Sequence, residues 1–126
     1  MRLLLDTNVL ILALEGQLTS HLRGAAVTSE NDLYVSVASL WEMAIKARIG
    51  KLRLTVPLRQ LPDVIAEMHF TLLTIQAPHV LAAVDPEPAT RDPFDRLLLA
   101  QCSMEGLQLV TLDRVLAAHP LSWKSD

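Results

Sequence analysis

Four acidic side chains, Asp6, Glu42, Asp95 and Asp113, stand at points of the chain where a carboxylate is either structural or reactive. Carboxylates gathered at one spot repel, and each pushes its neighbours' pKa upward unless a cation neutralises them. A hard divalent ion, Mg²⁺ or Mn²⁺, resolves that conflict, because it takes oxygen ligands in octahedral geometry and keeps several waters. Such an ion polarises a phosphoryl oxygen, turns water into a nucleophile and steadies a leaving oxygen, which is the chemistry of phosphodiester hydrolysis. The sequence holds no glycine-rich phosphate loop, no nucleophile elbow and no paired histidines at zinc spacing. His21, His69, His79 and His119 are scattered and read as stray surface or partly buried residues.

Each acid also has a plainer reading. Asp6 and Asp113 each follow an apolar run and precede a helical pattern, so either could serve only as a helix cap. Asp92-Pro93-Phe94-Asp95 reads as a helix start, with Asp92 at N-cap, Pro93 at N1 and Asp95 at N3 of a capping box. Glu42 is harder to explain this way. It lies among Leu40, Trp41, Met43, Ala44 and Ile45 on a helix that must be buried over most of its circumference. An i,i+4 pair with Lys46 would contribute only ~0.2–0.5 kcal/mol on a solvated face.

The elements that must position these acids follow from hydrophobic periodicity. Met1 to Leu5 reads as a strand, Asp6-Thr7-Asn8 as a turn, and Val9 to Ala13 as a helix. A second helix is expected from about Ser20 to Glu30, then a strand at Leu33 to Val35. Ser36 and Ser39 are both N-cap candidates for the helix that runs to Ile49, with Gly50 closing it. Pro57 or Pro62 opens a helix ending near Met68, followed by a strand at Phe70 to Thr74 and a short helix at Pro78 to Val84. Pro86 and Pro88 mark a loop before the helix Pro93 to Glu105, which Gly106 ends. Leu107 to Thr111 is a strand, Asp113 to Ala118 a brief helix, and Leu121 to Trp123 a final edge strand.

Strands alternating with helices predict an α/β fold with a largely parallel central sheet and helices on both faces. Function in such sheets lies beyond the carboxyl ends of the strands. Two strands run into an aspartate, Asp6 and Asp113, which places both at that edge. The Asp95 helix leads into the Asp113 strand, and Glu42 can reach the same spot from the helix after the second strand.

With 126 residues, 51% of them hydrophobic, the chain suits one domain spanning 1–126. No apolar run approaches the roughly 20 residues that cross a bilayer, and the start does not resemble a signal peptide. A cytoplasmic, membrane-free protein is expected. Cys102 is the only cysteine, which excludes an internal disulfide and a multi-cysteine zinc site. The net charge of −3 argues against coating nucleic acid through bulk electrostatics. A stretch from 46 to 59 nevertheless carries Lys46, Arg48, Lys51, Arg53 and Arg59 with no acid among them. It is either a solvated face or a local contact for a phosphate backbone.

Four stretches taken in order carry a family resemblance: Leu3-Leu4-Leu5-Asp6-Thr7-Asn8, Ser36-Val37-Ala38-Ser39-Leu40-Trp41-Glu42, the run Arg91-Asp92-Pro93-Phe94-Asp95-Arg96 with Leu97 to Gln101 after it, and Leu109-Val110-Thr111-Leu112-Asp113. Together with Gly50-Lys51-Leu52 they closely resemble the PIN-domain family, and more narrowly the VapC-like toxins of bacterial type II toxin–antitoxin modules. The resemblance implies a three-layer α/β/α fold, Mg²⁺- or Mn²⁺-dependent endoribonuclease activity, and inhibition by a cognate antitoxin. It further implies a homodimer. By position, Asp6, Glu42 and Asp95 match the family's three principal acids and Asp113 the less constant fourth. Thr7, Asn8, Asp92 and Thr111 match polar positions around the site. Asn8 stands where many relatives carry histidine, and so does Thr90, before Arg91.

The expectation is therefore RNA hydrolysis at Asp6, Glu42, Asp95 and Asp113, with Lys46, Arg48, Lys51 and Arg53 as RNA-binding candidates. One alternative is a catalytically weak PIN-like module that binds RNA or protein. Another is a phosphoaspartyl enzyme using Asp6, which lacks its usual second aspartate because position 8 is Asn.

Overall fold

The computed structural model describes residues 1–18, 22 and 30–124. Four strands, β1 (Arg2–Leu5), β2 (Asp32–Ser36), β3 (Thr71–Leu73) and β4 (Gln108–Val110), form one sheet in the order β3-β2-β1-β4, every pairing parallel. The helices are α1 (Thr7–Leu14), α2 (Val37–Arg48), α3 (Leu61–Glu67), α4 (Ala77–Leu81), α5 (Pro93–Glu105) and α6 (Arg114–Ala117). A 3-10 turn at Leu58–Gln60 precedes α3, so Pro57 heads the turn and Pro62 lies in the first turn of the helix itself. The helix expected at about 20–30 lies outside the described residues, apart from Leu22 and Glu30.

Alternation along the strands builds a core on each face of the sheet. Leu3 and Leu5 of β1, Leu33 and Val35 of β2 and Val110 of β4 pack with Val9 and Leu10 of α1, Met43 of α2 and Leu61 and Ile65 of α3. Leu4 and Leu109 turn the other way, onto Leu98, Leu99 and Cys102 of α5 and Leu116 of α6. Successive side chains of a strand point to opposite faces, so a purely apolar strand such as Leu3-Leu4-Leu5 is what a sheet covered on both sides requires. The three-layer α/β/α arrangement predicted from the sequence is the one observed.

β2, at five residues, is longer than the Leu33 to Val35 expected, while β3 and β4 are shorter than periodicity suggests. β3 covers three residues rather than Phe70 to Thr74, and β4 three rather than Leu107 to Thr111. Leu121 to Trp123 makes only an isolated bridge, Ser122 beside Leu109, instead of an edge strand. Two glycines work as anticipated: Gly106 ends α5 at φ 67, and Gly50 follows α2 at φ 77, both in the left-handed region that disfavours a Cβ. Cys102 is fully packed, and burial pushes its thiol up to about 12, so it is inert. No helix among the described residues is long and apolar enough to cross a membrane.

Candidate active site

The strand order places the first and last strands side by side, β1 inside the sheet and β4 at its edge. Leu5 pairs with Val110, and the Asp6 amide donates to the Val110 carbonyl at 3.0 Å. The chain leaves β1 toward β2 on one side and reaches β4 on the other, which makes this the switch point where an open parallel sheet parts its loops. Asp6 and Asp113 follow these two strands. A cavity of about 110 Å³ opens there, lined by Asp6, Thr7, Asn8, Glu42, Lys46, Asp92, Asp95, Asp113 and Leu116. All four principal acids predicted from sequence border it.

Asp6 is 4% exposed and does two things at once. Its Oδ1 accepts from the Val9 amide at 2.8 Å as N-cap of α1, and its Oδ2 accepts from the Thr111 hydroxyl. Capping and facing the cavity are therefore compatible, since a carboxylate has about four acceptor positions. Burial raises the Asp6 pKa, the Thr111 and Val9 hydrogen bonds oppose that rise, and the Glu42 and Asp113 charges add to it.

Glu42 is 7% exposed, on the middle turn of α2. Its Oε1 accepts from the Thr7 hydroxyl at 2.7 Å, and its Oε2 meets the Lys46 ammonium at 2.7 Å. The i,i+4 pair with Lys46 that was the plainer alternative for Glu42 exists, but inside the acidic cavity rather than on a solvated face. Lys46, expected to lie with the basic strip, is thus drawn into the acid cluster. Thr7 also hydrogen-bonds Ser39 at 3.0 Å, and both are buried. Of the two predicted caps, Ser36 alone caps α2, its hydroxyl oxygen accepting from the Ala38 amide at 3.0 Å. Ser39 is inside the helix and braces Thr7 instead, a role that sequence spacing does not reveal.

Asp95 does not complete the expected capping box. Asp92 caps α5 by accepting from the Phe94 amide at 2.8 Å, while the Asp95 carboxylate turns away and takes the Thr90 hydroxyl at 3.4 Å. Thr90 also accepts from the Asp92 amide at 3.1 Å, tying the loop to the helix start. Burial first, then the charges of Asp92, Asp6 and Glu42, push the Asp95 carboxyl up to about 7. Asp113 is more exposed. Its Oδ1 accepts from the Val115 and Leu116 amides as N-cap of α6, at 2.8 and 3.1 Å, while the Thr111 hydroxyl takes the Asp113 amide at 3.0 Å.

Of the surrounding polar positions, Thr7, Asn8 and Asp92 line the cavity, and Thr111 orients Asp6. Thr90 and Leu116 were not singled out as site residues. Thr90 is visible only once the loop folds back on α5. Arg48, Lys51 and Arg53 are exposed at and beyond the far end of α2, outside the cavity. His79 and His119 are buried away from the acids, each accepting a backbone amide on Nδ1, so Nε2 carries the proton, directed at Glu105 and at the Pro86 carbonyl respectively. They are core histidines, more deeply buried than the surface or partly buried positions expected; His21 lies outside the described residues.

The donor set fits a hard divalent cation: carboxylate oxygens only, crowded enough that two of them hold raised pKa values, and oriented by hydroxyls and amides. As they stand, no three acidic, histidine or cysteine side chains among the described residues converge closely enough to hold an ion.

A larger hollow of about 620 Å³ lies beside the first, between α2, α4 and α5. Trp41, Ile45, Val80, Val84, Phe94 and Leu97 are among its lining residues. Trp41 and Phe94 meet edge to face there, with centroids 5.4 Å apart.

Comparison with known proteins agrees with this architecture. The sequence profile of the PIN domain matches residues 3–120. The chain is 30% identical over 105 residues to Ribonuclease VapC22 of Mycobacterium tuberculosis (strain ATCC 25618 / H37Rv), an alignment covering 83% of this chain and 81% of that one. The chain belongs to the PIN-domain family and is VapC-like within it.

Proposed function

We propose that this PIN-domain chain forms one catalytic domain, a divalent-cation-dependent endoribonuclease, and acts in the cytoplasm as the toxin of a type II toxin–antitoxin pair. The observation that carries the reading is the convergence of Asp6, Glu42, Asp95 and Asp113 on one cavity at the switch point of a parallel sheet. Its likeness to a protein named a ribonuclease adds the substrate class.

In this reading Asp6, Glu42, Asp95 and Asp113 hold Mg²⁺ or Mn²⁺. When bound, such a cation supplies charge neutralisation at the phosphate and lowers the pKa of water at the site. The chain's own residues do the rest. Thr111 and the Val9 amide fix the Asp6 carboxylate, and Thr7, braced by Ser39, fixes Glu42. Asp113 uses Oδ1 on the α6 amides and borders the cavity. Asp95, with its carboxyl near 7, carries a proton part of the time at neutral pH and gives it up when positive charge enters. Lys46, Arg48, Lys51 and Arg53 provide positive charge along and beyond α2 for the RNA backbone. A cognate antitoxin would inhibit by covering the acidic cavity, and two copies of the chain would form the homodimer.

The deciding experiment is cleavage of a labelled total-RNA or transfer-RNA pool by antitoxin-free protein, in Mg²⁺, in Mn²⁺ and in EDTA, beside the Asp6→Asn variant. Cutting that needs both cation and Asp6 is the expected result. Cutting that persists in EDTA or in Asp6→Asn would refute the site.

A further inference from the structure

Lys46 is the one basic residue among those lining the acidic cavity. Its ammonium is 2.7 Å from Glu42 Oε2, while Glu42 Oε1 is already taken by Thr7. Both oxygens of the most enclosed glutamate are thus occupied, one by a hydroxyl and one by a full positive charge. The Glu42 side chain is 9% exposed and that of Lys46 36%, so the amine can leave by the solvent side while the carboxylate stays. Lysine suits this role, being a compact charge on a flexible four-carbon stem. Arg48, Lys51 and Arg53 lie outside the cavity and cannot substitute.

We propose that Lys46 is a tethered counter-ion of the site: it neutralises the acidic cavity in the cation-free chain, competes with the divalent cation for Glu42, and swings out when that cation binds. The proposal rests on the cation-binding reading given above. A divalent ion at ligating distance from Glu42 Oε2 would stand within a few ångströms of the ammonium, where like charges repel strongly. Lys46 therefore sets a threshold. The site fills only where the cation outbids the lysine, and the empty site avoids the mutual repulsion of four carboxylates.

The test is Mn²⁺ binding by calorimetry on metal-free parent, Lys46→Met, Lys46→Gln and Lys46→Arg, with thermal unfolding of each in EDTA. The two neutral variants should bind Mn²⁺ roughly 5- to 10-fold tighter than the parent, the scale of removing one partly buried ion pair. They should also unfold at lower temperature without cation. The arginine variant, which keeps the charge, should bind no tighter than the parent. The Lys46 ammonium resonance of the parent should in addition shift as Mg²⁺ is titrated in, a readout that needs no variant to fold. Should the parent bind Mn²⁺ while the neutral variants bind it no tighter and the resonance stays put, the counter-ion role is refuted and the cation site stands. Should none of the proteins bind Mn²⁺, the cation site itself fails, and the competition with it.

Discussion

Trp41 and Glu42 are neighbours on α2, as Phe94 and Asp95 are on α5, yet the two members of each pair serve opposite environments. The acids face a cavity of about 110 Å³; the aromatics line an apolar hollow of about 620 Å³. Consecutive residues of a helix point about 100° apart, so two helices lying side by side can wall two unlike cavities at once. The smaller one holds the clustered carboxylates and the raised carboxyl pKa values, whereas the larger one, with Arg96 and His79 in its lining, holds no acid. Size ranks these hollows one way and chemistry the other. The candidate site lies where polar groups are buried at a cost and then oriented.

The sharpest way to break that contrast is to neutralise one acid without changing its shape. Asp6→Asn, or Glu42→Gln, should lower RNA cleavage on the order of 10²- to 10⁴-fold, with the circular dichroism spectrum unchanged. Cleavage within a few-fold of the parent would mean the smaller cavity is not where the chemistry happens. Next in size is the loss of an orienting group. Thr111→Val leaves Asp6 in place but removes the hydroxyl that fixes Oδ2, and Mn²⁺ affinity should fall roughly 10- to 100-fold, measured by calorimetry.

A third test uses pH on the metal-free chain. Asp95 has its carboxyl raised from the ordinary 3.8 to about 7, and Asp6 is raised in the same direction. Between those values the folded chain holds protons that the unfolded chain has released, so stability falls as pH rises from about 4 to about 7. Thermal midpoints in EDTA should drop by several degrees across that window, Asp95→Asn should flatten the slope, and Mn²⁺ at pH 7 should restore the lost stability. The smallest effect belongs to the other hollow. Trp41→Ala removes the edge-to-face contact with Phe94, worth about 0.5–1.5 kcal/mol, and should leave cleavage within about threefold of the parent. A large loss of activity there would join the two hollows into one functional site.

What could be read from the sequence divides along a physical line. Asp6, Asp95 and Asp113 were legible because strand ends and helix starts are local signals, and an aspartate there is conspicuous. Glu42 was legible because a charge amid Leu40, Trp41, Met43 and Ile45 needs a reason. What stayed hidden depends on partners distant in the chain. Ser39 looks like a cap until Thr7, 32 positions earlier, is packed against it. Asp95 looks like the second half of a capping box until the loop brings Thr90 to it. Lys46 looks like part of a basic face until Glu42 is enclosed. The short strands β3 and β4 were overestimated because apolar residues flanking a strand are also wanted by the core beneath it.

The hydrogen bond from Thr111 to Asp6 spans 105 positions of the chain. A ribosome making this protein releases Asp6 first, and Asp113 only when the last strand of the sheet has followed it out. Until β4 slots in beside β1, the Asp6 carboxylate lacks its orienting hydroxyl and the cavity lacks one wall. The order of synthesis thus postpones assembly of the site until β4 has been made, about a hundred positions after Asp6 has left the ribosome.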